Sequence, residues 1–201
     1  MSDNVSRTIG LFIDGGYYAK IDEGLARSST RRVNLRALME FITEYICKMD
    51  DLRRDKVSII ESHYYRGRYR VTDASSKHLL YDERKFEDTL IENDFVFHYK
   101  HLRESVKNGK TTVIEKGIDT WFALDTYEMA QFRDLDYTVM ISDHEMLARK
   151  LRALKTHVVL LTWDPAETGS TSRFLKEEVC THIDINKLIK ENPALLNRLC
   201  L

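Results

Sequence analysis

Three aspartates stand where an acid can do chemistry. Asp14 ends the apolar run Thr8-Ile9-Gly10-Leu11-Phe12-Ile13, and Gly15 and Gly16 follow it. Asp143 follows a second apolar run, Tyr137-Thr138-Val139-Met140-Ile141-Ser142. Asp119 lies two residues past Gly117, where a helical pattern starts. Short apolar runs of this kind read as buried parallel strands. Ligands of open α/β sheets bind outside the carboxyl ends of the strands, so an acid there is a site candidate. Glu145, two residues past Asp143, is placed to face the same rim. Like charges held together repel unless a proton or a cation bridges them. Carboxylates with open positions suit Mg²⁺ or Mn²⁺, which take few protein oxygens and keep room for substrate phosphates. Each acid also has a plainer explanation, because an Asp after a strand is often the N-cap of the next helix. That explanation stays open for Asp143, while the two glycines after Asp14 weigh against it.

The elements that position these acids alternate along the chain. Strands are expected at 8–13, 56–62, 95–99, 137–142 and 157–162, the second running on toward Tyr64 and Tyr65. Helices are expected at 17–25, 34–49, 75–93, 117–133, 145–154 and 172–179. In the second of these, Asn34 is the N-cap and Leu35, Leu38, Phe41, Ile42, Tyr45, Ile46 and Met49 share one stripe. In the third, Leu79, Leu80, Phe86, Leu90 and Ile91 point inward. Asn108-Gly109 signals a hairpin between 102–107 and 110–114. Residues 183–201 read as a helical tail interrupted at Pro193. Its Leu188, Ile189, Leu195, Leu196 and Leu199 fit a homodimer surface or, as expected here, core burial. Strands that alternate with helices build a parallel sheet from right-handed βαβ units. Asp125 falls on the apolar stripe of Ile118, Phe122 and Met129, so it needs a partner. A structural role, or one behind the site, is expected for it.

Composition narrows the partners. The chain has 201 residues, 43% hydrophobic and 31% charged, which fits one soluble globular domain. A formal net charge of −1 gives no bulk attraction to nucleic acid, so a polyanion must be held by local basic patches or by metal ions. Two patches qualify. Tyr64-Tyr65-Arg66-Gly67-Arg68-Tyr69-Arg70 interleaves arginine with tyrosine in a loop after the second strand, on the rim of Asp14. Lys100, His101, Arg103, Lys107 and Lys110 form the other. Arginine contacts phosphates, and aromatic rings stack on unpaired bases, so both patches could funnel a single-stranded nucleic acid such as RNA toward the acids. Both patches also read as solvated surface. Lys116 stands near Asp119 as a phosphate contact or as an exposed helix-start lysine. Cys47, Cys180 and Cys200 lie far apart, which argues against a disulfide framework or structural zinc. The apolar runs are too short to span a bilayer and the first seven residues hold no signal core, so a cytoplasmic protein is expected. His144 reads as exposed, and the other histidines show no ligand spacing. A dinucleotide enzyme is disfavoured because Gly-x-Gly-x-x-Gly is absent after the first strand. A phosphoaspartate receiver would leave Asp119 without a role.

The motifs resemble the NYN domain in its LabA-like (DUF88) branch, a relative of the PIN-domain nucleases. Phe12-Ile13-Asp14-Gly15-Gly16 is similar to the family's F-[IV]-D-G-x-N opening. The stretch from Lys116-Gly117-Ile118-Asp119 to Asp125 is similar to its K-G-[VI]-D helix start. Ile141-Ser142-Asp143-His144-Glu145-Met146 stands where S-G-D-x-D-F is expected. Tyr64-Tyr65 and Phe97-His98-Tyr99-Lys100 match its strand ends. The resemblance implies a Rossmann-like, PIN-like three-layer α/β/α sandwich. Its central sheet is mainly parallel, with about five strands in the order 3-2-1-4-5, a core over about 8–185 and a tail at 186–201. It also implies an acidic pocket that binds Mg²⁺ or Mn²⁺ and hydrolyses RNA phosphodiesters. Asp14, Asp119 and Asp143 carry over as catalytic metal ligands, and Glu145 as a conservative change from Asp that orients water or holds a second metal. Gly15, Gly16, Tyr17, Tyr65, Arg66, Arg68, Lys116 and Ser142 fall on the substrate side. Tyr17 replaces an Asn, Ile141-Ser142 replaces Ser-Gly, and Glu145 replaces Asp, which adds bulk around the pocket. A catalytically weak RNA-binding or regulatory module on the same fold is the alternative.

Overall fold

Residues 5–76, 79–107, 110–143, 145–164 and 171–201 are described in a computed structural model. Strand β1 (Arg7–Asp14) lies at the centre of the sheet. It pairs in parallel with β2 (Val57–Arg68) on one side and β6 (Tyr137–Ile141) on the other. Strand β3 (Val96–His101) extends the sheet beyond β2, and β7 (His157–Thr162) and β8 (Thr181–Asp184) extend it beyond β6. The order is β3-β2-β1-β6-β7-β8, parallel throughout. A separate antiparallel hairpin pairs β4 (Arg103–Lys107) with β5 (Lys110–Ile114). The period of two along β1 sends Ile9, Leu11 and Ile13 into one core and Phe12 into the other. Both faces are covered, and this is why the run reads as continuously apolar.

Helices α1 (Gly15–Ser29), α2 (Leu35–Met49) and α4 (Leu80–Glu92) cover the Leu11 face, with α8 (Ile185–Glu191) and α9 (Ala194–Leu199). Helix α3 (Val71–Ser76) precedes α4. Helices α5 (Ile118–Phe132), α6 (Glu145–Leu151) and α7 (Arg173–Glu178) cover the Phe12 face. The result is the expected three-layer sandwich, with the first and fourth expected strands side by side. Asn34 caps α2 as expected, its side chain accepting from the Ala37 amide. At the amino rim, Arg7 pairs with Asp50 and Asp136, and Tyr137 donates to Asp50 at 2.7 Å. Among the described residues no helix is long and apolar enough to cross a membrane.

Four expectations change. A sixth strand, β8, joins the sheet edge where a helical tail was expected from residue 183; only Ile183 of its four residues is fully buried, so it carries little pattern. Asp184 ends it and caps α8 by accepting from Lys187. Strand β2 runs to Arg68, so Arg66, Gly67 and Arg68 are strand residues paired with Tyr99, Lys100 and His101, not a loop. Helix α1 starts at Gly15 and runs to Ser29, where the left-handed Thr30 stops it. The helix expected over 75–93 is two helices, α3 and α4, with 77–78 outside the described residues; Leu79 and Ile91 are exposed, as is Met49 at the end of α2. The hairpin forms as expected, and its Asn108-Gly109 turn lies outside the described residues.

Candidate functional site

Asp14 is the last residue of β1 and the N-cap of α1, where Oδ1 accepts from the Gly16 amide at 2.8 Å. Only 7% of it is exposed. A Cβ on Gly15 would stand 2.7 Å from the Tyr64 ring and from the Tyr65 carbonyl oxygen. The strand therefore turns into the helix against β2 with no room for a side chain, and that close approach holds Asp14 at the rim. Ile13 lies opposite Ile141 in the β1–β6 register, so the residues that follow each strand leave the sheet together. Ser142 is fully buried there. Asp143 comes next, and the Lys20 ammonium from α1 stands 3.4 Å from its Oδ2.

Asp119 lies exposed in the first turn of α5. Gly117 opens that helix with φ +81°, a left-handed conformation that side-chain-bearing residues avoid. Helix α5 packs across β1 and β2 and leads into β6 at the amino rim, so its start lies at the carboxyl rim with Asp14. Among the described residues no three Asp, Glu, His or Cys side chains are gathered closely enough to hold a metal. His144 and the side chain of Glu145 lie outside the described residues. The described acids do not close a protein cage. They fit the looser mode in which Mg²⁺ takes one or two carboxylates and completes its shell with water and a substrate phosphate.

Basic side chains converge beside them. A cleft of about 390 Å³ is lined by Arg70, Lys100, His101, Arg103, Lys116 and Gly117. The Lys100 ammonium sits 3.5 Å from the Gly117 carbonyl, at the foot of the helix that carries Asp119. Of the first basic cluster only Arg70 joins Lys100, His101 and Arg103 of the second here, Arg66 and Arg68 lining a different cavity; the side chains of Lys107 and Lys110 lie outside the described residues. Arg66 is exposed at the end of β2. Arg68 is half-buried, pinned by Glu83 at 3.3 Å and by Glu87, with its guanidinium 5.3 Å over the Tyr99 ring.

A model of the NYN domain family matches residues 8–186. The chain belongs to the NYN family. A crystal structure of a protein of unknown function from Vibrio parahaemolyticus is similar to this NYN domain with a TM-score of 0.62 and 12% identity, over 100% of both chains. At that identity the likeness is one of fold. No curated protein matches the sequence.

Besides Ser142, two tyrosines expected on the substrate side of this NYN domain have buried side chains. The Tyr17 hydroxyl donates to Asp164 at 2.9 Å, lies 3.2 Å from Thr171 and accepts from the Trp163 amide at 3.2 Å. It ties α1 to the segment after β7, and burial raises its phenol pKa. Because α1 begins at Gly15, residue 17 turns under the rim. Tyr65 is also fully buried and presents no face to a base. Its hydroxyl is 3.3 Å from Asp125, which supplies the partner that Asp125 needed.

Around that pair the NYN domain holds a polar chain that its sequence hides. Arg133 meets Glu61 at 2.8 Å, Glu61 meets His63 at 2.9 Å, and His63 meets His98 at 3.0 Å. His98 stacks on Tyr65 at 4.3 Å and stands 3.9 Å from Asp125. Burial, then His63, holds the His98 pKa below its ordinary value. One signal was present: Glu61, His63 and Tyr65 alternate along β2 and so share a face. Their partners on β3 and α5 come from elsewhere in the chain.

Proposed function

We propose that this NYN domain hydrolyses phosphodiester bonds in single-stranded RNA at the carboxyl rim of its sheet. The observation that supports it is one rim carrying both halves of the task. Asp14 and Asp143 leave the adjacent strands β1 and β6 there, and the basic cleft opens at the foot of the helix that carries Asp119. Lys100, Arg103, Lys116 and Arg70 hold backbone phosphates, which position the strand without reading its sequence. The rim carboxylates accept a proton from, and orient, the water that attacks phosphorus. Mg²⁺ or Mn²⁺, held by one or two of Asp14, Asp119 and Asp143 and completed by water and the substrate phosphate, would lower the pKa of that water and offset charge on the leaving oxygen. Glu145 serves the same water from the start of α6. The Asp-Gly-Gly opening and the motif order support the LabA-like branch.

A second reading, an RNA-binding module that does not cut, draws on Lys20, which already supplies Asp143 with a cation. The deciding experiment incubates end-labelled single-stranded RNA with the protein in Mg²⁺, Mn²⁺ or chelator. Metal-dependent cleavage that falls roughly a hundredfold or more in Asp14→Asn and Asp143→Asn supports the nuclease. RNA bound but never cut supports the second reading, and cleavage untouched by both substitutions removes the site.

A further inference from the structure

A second cavity, of about 320 Å³, lies on the Leu11 face between α1, α4 and the ends of β2 and β3. Its size is at the small end of the roughly 300–1,000 Å³ of small-molecule sites. Its walls include Tyr18, Phe86 and Tyr99; Asp22, Arg32 and Arg66 are among its polar groups, and Glu23 and Asp82 also line it. Arg68 is not available as a ligand group, because Glu83 and Glu87 hold it against the Tyr99 ring. Asp22 is fixed by the Val33 amide, which donates to its Oδ1 at 2.8 Å. Arg32 and Arg66 line the same cavity; burial raises the Asp22 pKa, and the Val33 amide and these two guanidiniums oppose that shift. The cavity borders the rim, since Arg66 follows directly on the Tyr64-Tyr65 pair that packs against Gly15.

A ring-walled cavity holding a carboxylate and guanidinium forks suits a flat ligand with paired donors on one edge and paired acceptors on another. Guanine has this pattern: N1–H and the N2 amino group donate side by side, and O6 and N7 accept side by side. Adenine and cytosine put an acceptor where the carboxylate needs a donor, and uracil offers a single imide N–H. We propose that this cavity receives one base of the RNA strand, guanine ahead of the other three. The proposal rests on the RNA reading above and adds base preference to it.

The test is calorimetric titration of the full chain, without divalent metal, with GMP, IMP, AMP, CMP, UMP and inorganic phosphate. GMP should bind most tightly, and IMP, which lacks the N2 amino group, and the other nucleotides roughly tenfold or more weakly. Asp22→Asn keeps an acceptor for Val33 and should level GMP with IMP. Arg66→Lys keeps the charge but loses the fork, and should weaken GMP and IMP alike by roughly tenfold or more. Equal binding of all nucleotides, binding no tighter than inorganic phosphate, or variants that behave as wild type would overturn the proposal. RNA cleavage with no guanine preference removes the pocket and leaves the nuclease. Guanine-selective binding sensitive to both variants, with no cleavage of RNA, leaves the pocket and removes the nuclease.

Discussion

Tyr17 stands where the NYN opening motif carries an Asn, yet the structure turns it inward, and Tyr17→Phe tests which role it has. The hydroxyl is buried and is bonded to Asp164, Thr171 and the Trp163 amide. Deleting it removes a hydrogen bond to a carboxylate, worth about 1.5–3 kcal/mol net. It also leaves the Trp163 N–H without that acceptor, at a cost of about 1–3 kcal/mol. The two costs overlap, because Asp164 keeps the Thr171 hydroxyl at 2.8 Å and the phenyl ring keeps its packing. The expected loss is therefore about 2–3 kcal/mol. In a chain of this size that corresponds to a Tm lower by about 4–12 °C. Urea unfolding gives the loss directly, provided the slope against denaturant is unchanged. RNA affinity, measured well below the new Tm, should match wild type. A loss under about 0.5 kcal/mol, the usual range of surface substitutions, would refute the structural role. Weaker RNA binding at unchanged stability would place Tyr17 on the substrate side after all.

Three further outcomes follow from the same geometry. Lys20→Gln removes an exposed ion pair, so stability should move by under about 1 kcal/mol, while Mn²⁺ affinity at the rim rises in calorimetry; an unchanged affinity would separate Asp143 from metal binding. Lys100→Glu with Lys116→Glu should weaken single-stranded RNA binding and lower the salt slope by about 0.7 for each phosphate no longer neutralised, and a slope equal to wild type would show that the cleft does not hold the backbone. Burial holds His98, His157 and His182 below their ordinary value near 6.5, so in the window just below 6.5 the unfolded chain binds more protons than the folded one. Stability is then complete above that value and falls as the pH drops below it, so the urea midpoint should be lower at pH 5.5 than at 7.5, and His98→Gln should remove part of the difference.

The parts of this molecule legible in its sequence are those whose signal is local. Strand β1 is one, because burial on both faces leaves an unbroken apolar run and the turn into α1 leaves Asp-Gly-Gly. Strand β8 is not, because an edge strand of four residues with one fully buried side chain has no period to detect. The far end of β2 reads as a loop because Arg66 and Arg68 are charged. Its strand character comes from β3 alongside it and from Glu83 and Glu87, which reach Arg68 from α4.

The same distinction separates the acids. That Asp14 and Asp143 stand at the ends of neighbouring strands, Asp143 two residues past β6, follows from strand order, which the alternation of elements and the family motifs together imply. What each carboxylate then does depends on the group that reaches it, and that group comes from far along the chain. Lys20 lies 123 residues from Asp143, and Tyr65 lies 60 residues from Asp125. Asp125 is held by a phenol and a histidine beneath the sheet and cannot leave them without exposing a buried polar chain. Asp143 is held by one lysine whose side chain is 57% exposed, a pairing that water and salt weaken. A divalent ion carrying a phosphate outcompetes a solvated ammonium far more easily than it draws a carboxylate away from a phenol and a histidine that hold it together. Of these two acids Asp143 is the exchangeable one, and on the proposed reading Lys20 is the group that a metal or a substrate phosphate displaces from it.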